Sequence, residues 1–139
     1  MDEIKEALCF DDVLLVPQFS PVETRSSVDT SVTIGSEQFH VVSEKSSDTR
    51  IGLRLPIISS PMDTVTGSDM AYAIRALGGL GIIHRYAGIK EQSDIVANSV
   101  EKFIESGIAP CVGAAIGVSG DYIDRATALY DAGARVLCL

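Results

Sequence analysis

From Leu55 onward the chain alternates between two textures. Residues 55–60, 80–84, 111–116 and 135–139 are short, largely apolar runs without the polar alternation of a half-exposed sheet. Between them apolar residues fall at helical spacing: Met70, Ala73, Ile74 and Leu77, then Ile89, Val96, Val100 and Phe103, then Ile123, Ala126, Leu129 and Tyr130. Gly78-Gly79, Gly107 and Gly133 stand just past these stripes, where a helix end favours a residue that accepts a positive φ. Ser119, with Asp121 behind it, is the expected N-cap of the third helix. Apolar strands separated by amphipathic helices predict parallel strands covered by helices.

Residues 1–54 read differently, as an irregular and polar extension. Phe10-Asp11-Asp12-Val13-Leu14-Leu15-Val16-Pro17 is a short apolar run closed by proline. Residues 31–34 and 38–42 flank Gly35-Ser36-Glu37, which predicts a β-hairpin with glycine at the turn, and 43–50 reads as a surface loop. Two architectures fit 55–139: a doubly wound open sheet, or part of a (β/α)8 barrel. Gly113-Ala114-Ala115-Ile116-Gly117 lacks the third glycine of a dinucleotide fingerprint and reads as a packed strand end. Four strands and three helices make the first half of a TIM barrel, since a whole one takes about 200 residues or more. On this reading the chain is a fragment, or it completes its sheet with another chain.

Composition narrows the function. With 46% hydrophobic residues the chain is too apolar for a disordered segment. Its net charge of -8 and pI near 4.6, with no basic cluster, argue against nucleic acid or an anionic membrane as partner. A small anion stays open, because one phosphate needs only a few amides and one cation. The longest uncharged stretch, 106–120, is shorter than the roughly 20 residues of a helical span and is broken by Pro110, so no membrane segment is expected. Cys9, Cys111 and Cys138 have no metal-ligand spacing and suit a reducing, cytoplasmic setting; no metal site is expected.

In a barrel, function collects at the carboxyl ends of the strands. Those ends carry Ser59-Ser60-Pro61-Met62-Asp63, His84-Arg85 and Gly117-Val118-Ser119. Pro61 stops the first strand and would leave Ser60 and Asp63 at the mouth. The plainer alternative has Asp63 and Thr64 capping the next helix and Met62 filling core. His84 reads as a satisfied surface-end histidine, Arg85 as a solvated charge, and Thr24, Arg25 and Asp29 as loop polars. The cysteines, away from any glycine-rich loop or candidate base, read as buried filler.

Four motifs occur in order: Cys9 through Pro17; Ser59-Ser60-Pro61-Met62-Asp63-Thr64-Val65-Thr66; Gly78-Gly79-Leu80-Gly81-Ile82-Ile83-His84-Arg85; and Val112-Gly113-Ala114-Ala115-Ile116-Gly117. Together they resemble the N-terminal part of the IMP dehydrogenase/GMP reductase family. The resemblance implies a cytoplasmic, usually tetrameric barrel enzyme performing nicotinamide-linked redox chemistry on a purine nucleoside monophosphate. Dehydrogenases convert IMP to XMP with NAD on the way to GMP; reductases convert GMP to IMP with NADPH. It implies that Ser60 and Met62 contact the nucleotide, the methionine lying against the purine. It implies further that Thr24 and Arg25 help hold the cofactor's adenosine end across a subunit boundary, and that Arg85 matches a basic residue contacting cofactor phosphate in the reductases. A monovalent cation belongs to the same expectation for the complete enzyme.

Departures carry information too. Residues 91–110 run through a single helix, with no inserted pair of regulatory Bateman repeats. Residues 24–29 and the hairpin resemble reductases, whereas the strand-end motifs resemble dehydrogenases and are weighted more because they line the pocket. The family's nucleophilic cysteine loop and catalytic flap have no counterpart here, so no catalytic residue is expected in these 139 residues. Three readings stay open: IMP dehydrogenase first, GMP reductase second, and a non-catalytic half barrel binding nucleotide or a partner protein third.

Overall fold

The structure, a computed structural model, describes residues 7–35 and 50–139. In the extension, β1 (Val32–Ile34) pairs antiparallel with β2 (Ile51–Leu53), Val32 opposite Leu53. The expected second hairpin arm, 38–42, lies outside the described residues. Among those described, the partner of 32–34 is 51–53. Ile51, Leu53 and Leu55 alternate with Gly52 and Arg54, and Leu53 is driven into the core at 1% exposure.

The later apolar runs form a parallel sheet. Ile58 bridges Leu80, and the ladder continues through β3 (Ile82–Ile83), β4 (Gly113–Ala115) and β5 (Val136–Cys138), with Ile82 opposite Gly113 and Gly113 opposite Val136. Position along the sheet therefore follows position along the chain. The first run is held to its neighbour by Ser59 N–H donating to Leu80 O and Leu80 N–H to Ile57 O, both at 3.0 Å. Three helices connect the runs: α1 (Ser68–Ala76), α2 (Ile89–Glu105) and α3 (Tyr122–Asp131). α1 packs on α2 and α2 on α3.

Both sheet faces are apolar because both are covered. On one face Ile83, Val112, Ala114 and Ile116 meet Ala71 of α1, Val96 and Phe103 of α2, and Leu129 of α3. Phe103 has no exposed surface, and burying such a side chain contributes about 1.5–3 kcal/mol. On the other face Leu80, Ile82, Cys111 and Ala115 close over Leu53. The strand period of two sorts these residues, odd and even positions going to opposite sides.

The helix ends match the glycine signal. Gly78, Gly107 and Gly133 have φ of 98°, 68° and 104°, and the amides of Gly79, Ile108 and Ala134 reach back to Ile74, Phe103 and Leu129. The stripes match less well. α1 packs through Ala71 against Gly81, where a Cβ would come within 2.5 Å of the Ala71 Cα, so contact is by backbone approach; Met70 and Leu77 stay exposed. Ile123 and Tyr130 of α3 are exposed as well. Ser119 does not cap α3: Gly120 turns the chain at φ 70°, and the N-cap is Asp121. Cys9 is exposed on the extension and is not core filler, whereas Cys111 is buried.

Candidate functional site

The first run ends in a tight, internally bonded turn. Met62 N–H donates to Ser60 O, and the amides of Val65 and Thr66 both donate to Met62 O, all at 2.9 Å. The wholly buried Thr66 locks it: its hydroxyl donates to Ser60 O at 2.6 Å and lies 2.9 Å from Ser59 Oγ. Ser59 thus points inward, and Ile82 N–H reaches its Oγ at 3.4 Å. With Ser59 spent on structure, Ser60 stands exposed, and Met62 is 49% exposed. Asp63 and Thr64 do not cap α1, whose N-cap is Gly67, and Met62 does not fill core. Neither plain alternative for this segment is realised.

His84, one residue beyond β3, is buried at 9% exposure, and its Nδ1 has no hydrogen-bond partner among the described residues. The expectation of a satisfied histidine is not met there.

The loops after β3 and β4 form an open cleft of about 250 Å³ lined by Arg85, Tyr86, Gly117, Ser119, Asp121 and Arg125. Arg85 is exposed and makes no hydrogen bond or ion pair among the described residues. Its guanidinium lies over Gly117, where a Cβ would come within 2.8 Å of Nη1. Arg125 is only 12% exposed. It donates to Ala87 O at 3.1 Å and Gln92 Oε1 at 2.7 Å, and pairs with Asp121 at 3.2 Å. Gln92, fully buried, donates in turn to Ala115 O at 2.8 Å.

A free guanidinium, an exposed tyrosine ring, a serine and the N-terminal end of α3 suit the phosphate and part of a nucleoside of a dinucleotide. The volume is below the roughly 300–1,000 Å³ of a complete ligand pocket, so these residues offer one portion of a cofactor site.

Thr24 and Arg25 lie elsewhere. They form an exposed turn, with Thr24 Oγ1 3.0 Å from Ser26 Oγ and Ser27 Oγ donating to Thr24 O, and no described hydrogen bond joins them to the cleft. Tyr86, Gln92 and Arg125 are not singled out by the sequence, and Asp121 is read there only as an acidic residue at the start of the third helix. Gln92 left a signal, a polar residue within the apolar stripe of α2, where burial forces a partner. Among the described residues no cluster of three metal-ligating side chains exists, and no helix is long and apolar enough to cross a membrane.

Burial pushes the Cys111 thiol above its ordinary value despite the nearby Arg75 and Arg135 charges. Cys9 sits in the exposed extension, where its amide and thiol both donate to Asp12 at 2.9 Å and hold that carboxyl below its usual range.

A parallel sheet covered by helices, with exposed polar groups at its strand ends and an arginine-lined cleft, defines a class: a helix-covered parallel α/β scaffold. The sequence places it more narrowly. Residues 7–139 match the model of the IMP dehydrogenase / GMP reductase domain, and the chain belongs to that family. It is 42% identical over 105 residues to an inosine-5'-monophosphate dehydrogenase of Nitrosopumilus maritimus, covering 76% of this chain and 18% of that protein. It is 49% identical over 92 residues to the protein of the same name from Staphylococcus epidermidis, covering 66% of this chain and 16% of that one. A Staphylococcus aureus protein, again so named, is 42% identical over 92 residues. The chain thus spans under a fifth of the length of these relatives.

Proposed function

We propose that residues 55–139 are the first half of a (β/α)8 barrel, with 1–54 as its extension, in an enzyme that oxidises IMP to XMP with NAD. Strand order supports the barrel: a doubly wound sheet reverses direction after its first strands, whereas here each run adds beside the last. The names of the relatives support the dehydrogenase reading. The observation that carries the site is the exposure of Ser60 and Met62 at the carboxyl end of the first run, where Thr66 fixes the turn and leaves both side chains unspent.

In this reading Ser60 hydrogen-bonds the nucleotide, and the polarisable Met62 thioether lies against the purine. Arg85 meets a cofactor phosphate across Gly117. Thr24 and Arg25, exposed and not among the residues lining the cleft, serve the adenosine end of a neighbouring subunit's cofactor in a cytoplasmic homotetramer. NAD, when bound, accepts the hydride removed from the purine ring. On this reading the nucleophile lies outside these residues: Cys111 is buried with a raised pKa, Cys9 belongs to the extension, and Cys138 is a residue of strand β5 and not of a loop.

A reductase using NADPH is the second reading, and the unpaired Arg85 guanidinium favours it, since a 2′-phosphate would suit that group. Steady-state assays of the protein carrying this segment separate them. IMP-dependent reduction of NAD is the expected result; GMP-dependent oxidation of NADPH would replace it with the reductase. Nucleotide binding with neither activity would leave a non-catalytic module.

A further inference from the structure

The cleft is built from two loops, 85–88 and 117–121, and among the described residues no hydrogen bond runs directly between them. One side chain serves both. Arg125, one turn into α3, donates to the Ala87 carbonyl in the first loop and pairs with Asp121 in the second. A guanidinium has a rigid, planar fork of donors, so fixing two partners fixes the angle between them. The fork is itself aimed from below. Gln92 has no exposed surface; its amide nitrogen is committed to Ala115 O, which turns Oε1 toward Arg125 Nη1. β4, α2, α3 and both loops are thereby tied at one half-buried cation.

We infer that Arg125 is a positioning residue: it holds loops 85–88 and 117–121 in register so that Arg85 and Ser119 face one and the same anionic group. Identifying that group as a cofactor phosphate rests on the proposed function; the holding of the loops does not. The lining supports this division of labour. Arg125 is paired and 12% exposed, whereas Arg85 is unpaired and exposed over Gly117, so Arg85 is the arginine of the cleft with its whole fork uncommitted.

The test compares Arg125→Met, Arg125→Lys and Arg85→Ala in the protein that carries this segment, beginning with hydrogen exchange in the absence of ligand. Losing a charge-assisted anchor should speed exchange at 86–88 and 118–121 by about tenfold in Arg125→Met, with β4 keeping its protection. Arg125→Lys, which keeps one donor and the charge, should recover part of it. In kinetics, Arg125→Met should raise the cofactor KM about tenfold while kcat and the nucleotide KM stay within about twofold. Because Arg125 acts partly through Arg85, adding Arg125→Met to Arg85→Ala should raise the cofactor KM by clearly less than the tenfold it causes alone.

Unchanged exchange at both loops overturns the inference, and so does exchange rising throughout β4 and α2 in both Arg125 variants. If Arg125→Met does not fold, Arg125→Lys decides by the same criteria. Locally faster exchange with a cofactor KM that Arg85→Ala does not move supports the positioning role and removes the cofactor assignment instead.

Discussion

The Arg85 guanidinium occupies the space a side chain on Gly117 would need: a Cβ there would come within 2.8 Å of Nη1. Glycine at 117 thus makes room for a neighbour from the loop after β3, while its own backbone angles are not in the positive-φ region. The atom in the way is the far end of a flexible arm. Gly117→Ala should displace Arg85 and leave the fold within about 1 kcal/mol of the parent, less than core overpacking costs. Cofactor affinity should fall as far as in Arg85→Ala. Thermal unfolding with cofactor titration checks both halves; a Gly117→Ala protein with parental affinity would show that Arg85 does not act from this position.

Gln92→Leu keeps the shape of the α2 stripe but leaves Ala115 O and one Arg125 donor without partners. Two unsatisfied buried groups should cost about 2–4 kcal/mol, far more than a leucine at a buried apolar site would suggest. Denaturant unfolding of the parent and variant measures it. A Gln92→Leu protein as stable as the parent would mean that water replaces both bonds.

Cys111 makes a pH prediction. Its thiol is pushed above the ordinary value of 9.0 by burial, so in the fold it stays neutral at a pH where the unfolded chain already ionises. The unfolded state then holds fewer protons, and stability falls as pH rises above about 9 until the folded thiol also ionises. Cys111→Ala should abolish that part of the alkaline loss. Alkylation at neutral pH should follow exposure, Cys9 fastest and Cys111 slowest.

Expressed alone, the 139 residues should self-associate. Phe10, Leu14, Leu15 and Phe19 are each more than 90% exposed, as 96%, 94%, 97% and 92%, and among the described residues β5 has an unpaired outer edge. Sedimentation velocity across a concentration series reports this, and a sharp, concentration-independent monomer is the contrary result. If, as proposed, the nucleophile lies outside these residues, such a preparation should also show no turnover.

What could be read from the sequence follows from what each pattern encodes. The apolar runs and closing glycines are local signals, and the parallel ladder and helix ends follow them. The helix stripes were less legible. The pattern assumes that large side chains make the contact, whereas α1 meets the sheet through Ala71 on Gly81. β2 was hidden because three residues interrupted by Gly52 look like loop until Leu53 finds the inner sheet face. At the site, the motif around Ser60 and Met62 was visible, but its rigidity comes from Thr66, a hydroxyl that reads as ordinary polar sequence. Arg125 and Gln92 are far apart in the chain, and their hydrogen bond exists only once α2 and α3 are packed.

Equilibrium binding of IMP to the protein carrying this segment tests the proposed nucleotide cradle at the end of the first run most directly. Ser60→Ala removes a hydroxyl worth about 0.5–1.5 kcal/mol, so the IMP dissociation constant should rise from a few-fold to about tenfold with cofactor affinity little changed. Met62→Ala should weaken IMP but spare ribose 5-phosphate, which has no base to lie against. Parental IMP affinity in both variants, with the fold intact, would contradict the assignment and return the Ser60–Met62 turn to a purely structural role.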